Sequence, residues 1–229
     1  MSMLTNLAYL EPTKMIDSDH PAVIQYAKDI VKEGYRDEVD AAIQLYKAVR
    51  DDFVYNPYVA FHREESYQAS HVIKQGKGYC VSKASLLCAL GRVLGIPSRI
   101  GFATVRNHIA TKQLIKLMGT DEFIYHGYTE FFLNGKWVSA TPAFDSKTCK
   151  RHGVAPLEFN GIDDSKFQAL NNEKGLFLEY LEDLGSYADI PLAEMIIAYR
   201  KKYGDGLADK WIAAFDSMKS FAKNRFDQE

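Results

Sequence analysis

GKGYCVSKASLLCAL, residues 76–90, places two glycines and then a cysteine before an apolar segment with the composition of a helix. The pattern predicts a helix that begins at or near Cys80 and ends at Gly95, with Pro97 just beyond it. The backbone dipoles at a helix N-terminus favour a thiolate over a thiol. We therefore expect the sulfur of Cys80 to be ionised near neutral pH and available as a nucleophile.

A β-hairpin is predicted after this helix. Residues 98–106 and 123–133 have the composition of strands. Asn134-Gly135 is a strong signal for a two-residue turn, and residues 136–140 then form the returning strand. His126 lies on the first strand of this hairpin, so a base could be brought to the sulfur of Cys80.

The predicted hairpin gives His126 two polar neighbours. Counting outward from the turn, His126 lies opposite Ala143, with Thr141 and Asp145 as its diagonal neighbours on the same face. Such diagonals lie about 7–8 Å apart, a gap that polar side chains can close. Because Pro142 donates no hydrogen bond, Asp145 depends on the strand continuing past the proline, whereas Thr141 does not.

These residues suggest nucleophilic catalysis by Cys80 with His126 as its general base. A base needs its second ring nitrogen held by an acceptor, and a carboxylate does this best because it also stabilises the imidazolium. Thr141 is the better placed but weaker candidate, and Asp145 is the stronger but less certain one. The backbone N–H of Cys80 is a natural oxyanion donor, and the side chain of Gln75 is a candidate for a second donor.

Helices are predicted on both sides of the strands, which is the order of an α+β fold. We expect a single domain over residues 1–229, in which the helix of Cys80 packs on an antiparallel sheet. Residues 146–187 show no clear pattern. The predicted flanking helices lie near residues 18–34, 37–51, 189–202 and 207–222.

Composition excludes several function classes. The chain has 229 residues, of which 47% are apolar and 25% charged, with a net charge of −2, as in ordinary globular proteins. No basic stripe indicates nucleic-acid binding, and no run of about 18 apolar residues indicates a membrane span. The N-terminus lacks the pattern of a secretory signal. Three cysteines argue against a disulfide framework and favour a reducing, cytoplasmic compartment.

The other two cysteines have simpler interpretations. Cys88 lies two turns beyond Cys80 on the same helix face and is expected in the core, whereas Cys149 has polar neighbours and is expected at the surface. Cys149 and His152 have C-x-x-H spacing, but no second pair of ligands lies near them. No metal and no cofactor are therefore expected.

Four short motifs, taken together and in order, resemble the transglutaminase-like superfamily. They are GYC at residues 78–80, GIPSR at 95–99, HGYTE at 126–130 and NGKWVSATP at 134–142. The similarity covers about residues 40–145 and leaves 146–229 as a C-terminal extension. Residues 140–144, ATPAF, are similar to small bacterial members of the superfamily.

The resemblance implies a papain-like core with a Cys-His-Asp triad. Cys80 matches the nucleophile and His126 the base, whereas the aspartate position falls on Thr141. The implied activity is amide hydrolysis or acyl transfer through a thioester, on a peptide or other amide-containing substrate. Hydrolysis is favoured because protein-crosslinking relatives are usually larger and calcium-dependent. The alternative is a binding module that keeps the fold without catalysis, as Thr141 in the aspartate position suggests.

Overall fold

The computed structural model describes residues 7–108, 112–166 and 178–226. Helices surround an antiparallel sheet, which confirms the α+β class. The helices are α1 (Pro21–Ile30), α2 (Glu38–Asp52), α3 (Ala69–Gln75), α4 (Cys80–Val93), α5 (Lys112–Met118), α6 (Ser146–Arg151), α7 (Leu192–Tyr203) and α8 (Asp205–Phe226). The strands are β1 (Val54–Tyr55), β2 (Lys77–Gly78), β3 (Ser98–Asn107), β4 (Glu122–Leu133), β5 (Lys136–Ala140) and β6 (Leu178–Tyr187).

The sheet has the strand order β5-β4-β3-β6, and the β4–β5 hairpin has the predicted register. The hairpin pairing ends at Ala140 and does not extend to the predicted pair of His126 with Ala143. The chain instead turns to Ser165, whose carbonyl accepts a hydrogen bond from the N–H of Thr141. Pro142 follows at once and has no N–H to continue the ladder.

Residues 146–187 contain more regular structure than the sequence indicates. Helix α6 occupies its first part and β6 its last, where β6 forms the edge of the sheet beside β3. The register between β3 and β6 shifts twice, once between Gly101 and Ala103 and again between Thr104 and Val105. These irregular pairings join residues far apart in the sequence, so the short pattern of β6 alone does not predict its place at the edge of the sheet.

Helix α4 lies at the centre of the molecule. All of its residues from Cys80 to Arg92 are buried, so it has no solvent-facing side. Its apolar side chains pack against the sheet, and its polar side chains donate hydrogen bonds to carbonyl groups of surrounding segments. Lys83 Nζ binds the carbonyls of Arg50 and Phe53 at 2.9 and 2.8 Å. Arg92 binds carbonyls of Glu11, Ser98 and Ala188.

Two glycines allow α4 and the sheet to approach closely. A Cβ atom on Gly127 of β4 would lie 2.8 Å from Cα of Val81, the second residue of α4. A Cβ atom on Gly91, near the other end of α4, would lie 2.6 Å from the ring of Phe131 in β4. Real Cβ contacts do not occur at such distances, so both positions require glycine. The two contacts fix the helix on β4 at both ends.

Among the described residues, no helix is long and apolar enough to cross a membrane. The same residues contain no group of three or more histidine, cysteine, aspartate or glutamate side chains placed to hold a metal ion.

We expect the Lys83→Met substitution to destabilise the protein by about 1–3 kcal/mol, because it leaves two buried carbonyls at the end of α2 without a donor. The free energy of unfolding in urea measures this. Lys47→Met is the matched control, because Lys47 lies on α2 itself and its side chain is exposed. A Lys83→Met protein as stable as the wild type would mean that the cost of burying the ammonium group outweighs its two hydrogen bonds.

Candidate active site

Cys80 is the first residue of α4. The extended backbone of Tyr79 and the short parallel pairing of β1 with β2 lead the chain into this helix. Cys80 is 8% exposed. Its sulfur approaches the backbone N–H groups of Gly127, Val81 and Cys80 itself, and each of them favours a negative charge on the sulfur.

His126 lies next to a β-bulge in β4. Ala103 of β3 pairs with His126 of β4, and Val105 pairs with Phe123. One residue therefore separates the pairs on β3 and two separate them on β4, so β4 contains one extra residue. Within the bulge Tyr125 has a φ of 56°, in the left-handed region. This conformation costs on the order of 1–3 kcal/mol for a residue other than glycine. Bulges redirect neighbouring side chains, and this one adjoins the candidate base.

Cys80 and His126 line the same cavity. Its walls are mostly aromatic and apolar, and they come from β4, from the segment after β1 and from helices α7 and α8. The structure therefore brings together two of the four predicted site residues, whereas Thr141 and Asp145 do not line the cavity. Aromatic residues of its wall include Tyr55, Tyr79, Phe144, Tyr199, Tyr203 and Trp211.

Both candidate groups are electrically neutral at pH 7. Burial raises the pKa of the Cys80 thiol to about 11, although the backbone N–H groups at the sulfur lower it. Burial also lowers the pKa of His126 to about 4. The expectation of an ionised Cys80 near neutral pH is therefore wrong, because the loss of hydration outweighs the helix-terminal dipoles.

Thr141 is buried, and its hydroxyl lies 3.3 Å from the hydroxyl of Tyr180 on β6. The ring of Tyr180 in turn packs edge-on against His126, with the ring centroids 5.9 Å apart. Nε2 of His126 is buried and has no hydrogen-bond partner among the described residues. Thr141 thus reaches the histidine through Tyr180 and does not bind the ring itself.

Asp145 forms other contacts. Its carboxylate accepts hydrogen bonds from the N–H of Tyr55 at 3.0 Å and from the N–H and hydroxyl of Thr148, both at 2.8 Å. It is the N-cap of α6. Burial raises the pKa of Asp145, but these donors and the charge of Lys83 lower it by more, so it stays below its ordinary value. No hydrogen bond joins Asp145 to His126 in the described part of the chain.

The remaining candidates lie outside the site. Gln75 is exposed and does not line the cavity. Cys88 is fully buried in the core, as predicted. Cys149 is also fully buried, so its assignment to the surface is wrong. It lies inside α6, which packs against α2, and its polar neighbours in the sequence point away from that contact.

Sequence reasoning missed the residues that enclose the site. Tyr180 lies in the segment without a clear pattern, and Tyr199 and Trp211 lie on helices whose inner faces could not be assigned to a cavity. One usable signal was the alternation of Leu178 and Tyr180 with Glu179, which is typical of a half-buried strand.

A cysteine at the start of a buried helix and a histidine on an antiparallel sheet, lining one cavity, are the arrangement of papain-like α+β proteins. The sequence agrees with this class: residues 24–142 match the transglutaminase-like superfamily. The chain belongs to this superfamily.

Other comparisons are less informative. None of the curated proteins matches the chain. A similar solved structure is the "putative cysteine protease" from Cytophaga hutchinsonii, with a TM-score of 0.51 and 17% sequence identity. The match covers 82% of this chain and 48% of the other, so the chain spans about half the length of that protein. At this identity the similarity shows the fold alone.

We expect acid to destabilise the protein through His126. With a pKa of about 4 in the folded state and about 6.5 when unfolded, the histidine binds its proton more readily in the unfolded chain. Its contribution to stability is complete above pH 6.5 and falls by about 3 kcal/mol as the pH is lowered to 4.

The free energy of unfolding of the wild type and of His126→Asn, measured in urea between pH 7 and 4, tests this expectation. The wild type should lose more stability than the variant over this range. Parallel curves for the two proteins would show that His126 is protonated as easily in the folded state as in the unfolded one.

Proposed function

We propose that the protein is a cysteine-dependent amide hydrolase or acyl transferase that acts through a thioester on Cys80, with His126 as the base. The observation that carries the proposal is the placement of both side chains on one cavity, with backbone N–H groups at the sulfur. The fold shared with a structure described as a cysteine protease supports it. The substrate is a peptide or another amide, and no cofactor takes part.

The neutral resting pair determines how the reaction starts. The thiol of Cys80 transfers its proton to His126 while the sulfur forms its bond to the carbonyl carbon, so negative charge moves directly onto the carbonyl oxygen. The N–H groups at the start of α4 have no acceptor within the helix and provide hydrogen-bond donors for that oxygen. The imidazolium then protonates the leaving amine, the C–N bond breaks, and the thioester remains.

In the second half of the reaction, His126 removes a proton from water as the water oxygen attacks the thioester carbonyl. The C–S bond then breaks, the carboxylic acid is released, and the imidazolium returns its proton to the sulfur. Hydrolysis is favoured over transfer to a large amine because α7 and α8 wall the cavity. Trp211 on α8 donates a hydrogen bond to the carbonyl of Val59 at 2.9 Å, and Tyr58 stacks on its ring. Water passes such a wall more easily than a second polypeptide does.

A non-catalytic binding module is the second candidate. Two observations favour it: Nε2 of His126 has no hydrogen-bond partner in the described structure, and Thr141 replaces the expected aspartate. In this case the cavity binds its ligand without forming a thioester.

Domain organisation and location are part of the proposal. Contacts between the extension and the preceding chain, such as the ion pair of Arg63 with Asp216, agree with a single domain over residues 1–229. None of the described cysteines forms a disulfide, which agrees with a reducing cytoplasmic compartment.

Incubation with a panel of acyl p-nitroanilides should produce an acyl adduct on the peptide that contains Cys80, detectable by mass spectrometry after an acid quench. Cys80→Ala should abolish the adduct. His126→Asn should slow its formation by about 10²- to 10⁴-fold, the usual contribution of a general base. His152→Asn, at an exposed position, is the matched control and should react like the wild type. A folded wild-type protein that forms no adduct with any member of the panel would favour the binding module.

A second comparison identifies the residue that positions His126. We expect Thr141→Val and Tyr180→Phe to slow acylation by a similar factor, up to about tenfold, because each removes the same hydrogen bond behind the ring. The double variant should be no slower than either single one. Substrate binding should not change.

Asp145→Asn is the informative contrast. This variant should lower the free energy of unfolding by about 1–3 kcal/mol, because an amide nitrogen cannot accept the hydrogen bond from the N–H of Tyr55, and should leave the acylation rate of the folded protein unchanged. If Asp145→Asn slows acylation more than Thr141→Val does, Asp145 is the positioning residue.

A further inference from the structure

The cavity beside Cys80 has walls from two parts of the chain. Tyr55, Tyr79 and Phe144 belong to the superfamily match or lie directly after it. The opposite wall comes from the C-terminal extension, where Tyr203 and Trp211 are examples. The extension therefore encloses a space that the superfamily core alone leaves open.

The cavity wall is unusually free of charge. None of the described lining residues is an aspartate, glutamate, lysine or arginine, and burial keeps His126 neutral. An ionised ligand group would lose its hydration here without gaining a partner of opposite charge. Near the reacting pair, Nε2 of His126 is buried and has no hydrogen-bond partner among the described residues.

The size of the cavity limits the ligand further. Its volume is about 150 Å³. A closed apolar cavity of about this volume accommodates one benzene molecule, and this cavity is in addition partly open to solvent. The space therefore fits a phenyl ring or a branched aliphatic group of similar size, with the attached carbonyl at the sulfur of Cys80.

The wall contributed by α8 is firmly attached. Trp211 is anchored at Val59, and Asp216 pairs with Arg63 and lies 3.2 Å from Nε2 of His62. Ala208 lies one turn before Trp211, is only 5% exposed and also lines the cavity. Because Ala208 is small, a larger side chain at this position would fill part of the cavity.

We propose that this cavity selects an uncharged, apolar acyl group of about phenyl size, and that helix α8 sets this preference through Ala208 and Trp211. The inference rests on the proposed function, since it names the substrate class of the same site. An amide of an aromatic or branched aliphatic acid is then the preferred substrate, and short or acidic acyl groups are poor ones.

Binding is measured first without chemistry, in the full-length Cys80→Ala protein by isothermal titration calorimetry. Phenylacetamide should bind about 10- to 100-fold more tightly than acetamide, as expected for burial of one apolar ring. Succinamate, which carries a carboxylate, should bind no better than acetamide. Equal affinities for phenylacetamide and acetamide, or tight binding of succinamate, would overturn the proposal.

The role of α8 is tested by replacing each of two alanines of this helix with tryptophan. Ala208→Trp fills the cavity and should lower the affinity for phenylacetamide at least tenfold, whereas Ala213→Trp at an exposed position of the same helix should not. Trp211→Ala enlarges the cavity and should shift the preference from phenylacetamide towards the longer 4-phenylbutanamide. If all three variants bind phenylacetamide like the parent protein, α8 does not set the preference.

The binding measurements and the acylation assay can reject the two proposals separately. Selective binding of phenylacetamide to Cys80→Ala, without any acyl adduct in the wild type, would reject catalysis and leave the ligand class standing. An adduct on Cys80 that forms equally fast from acetyl and phenylacetyl anilides would support catalysis and reject the selection of an apolar group.

Discussion

The close contact between the first turn of α4 and strand β4 is the constraint on which the site depends. Gly127 lies so near Val81 that no side chain fits between them. Because Cys80 precedes Val81 and His126 precedes Gly127, this one backbone contact brings the thiol and the imidazole to the same cavity. Gly91 makes the corresponding contact near the other end of α4, so the helix lies close to the strand at both ends.

The polar side chains of α4 extend this constraint to the rest of the molecule. Lys83 holds the carbonyl end of α2, while Arg92 binds the N-terminal segment, the start of β3 and the loop before α7. A buried helix usually lacks such groups, since an unpaired charge in the core is costly. Here each donor meets main-chain carbonyls, so the helix that carries the cysteine also connects segments that are distant in sequence. Movement of α4 would break these hydrogen bonds together.

Local signals made α4 and the β4–β5 hairpin predictable from the sequence. Gly78 and Gly95 delimit the helix, and Asn134-Gly135 fixes the register of the hairpin whatever the remaining chain does. The surroundings of His126 were not predictable in this way. The ladder stops at Ala140 because the chain turns to pair with Ser165, a residue far along the sequence. The bulge at Tyr125 and the partner hydroxyl of Tyr180 likewise depend on contacts between distant strands, which no short pattern records.

The apolar cavity has two opposed electrostatic consequences. Aromatic walls exclude water and give an apolar acyl group a place to bind, but they also raise the pKa of Cys80 and lower that of His126. An apolar site that favours an uncharged ligand also disfavours ionisation of the nucleophile. The N–H groups that face the sulfur reduce this conflict, because they stabilise negative charge without introducing a charged side chain that an apolar substrate would have to desolvate. A site of this kind gains its reactivity only once a carbonyl is in place to receive the charge.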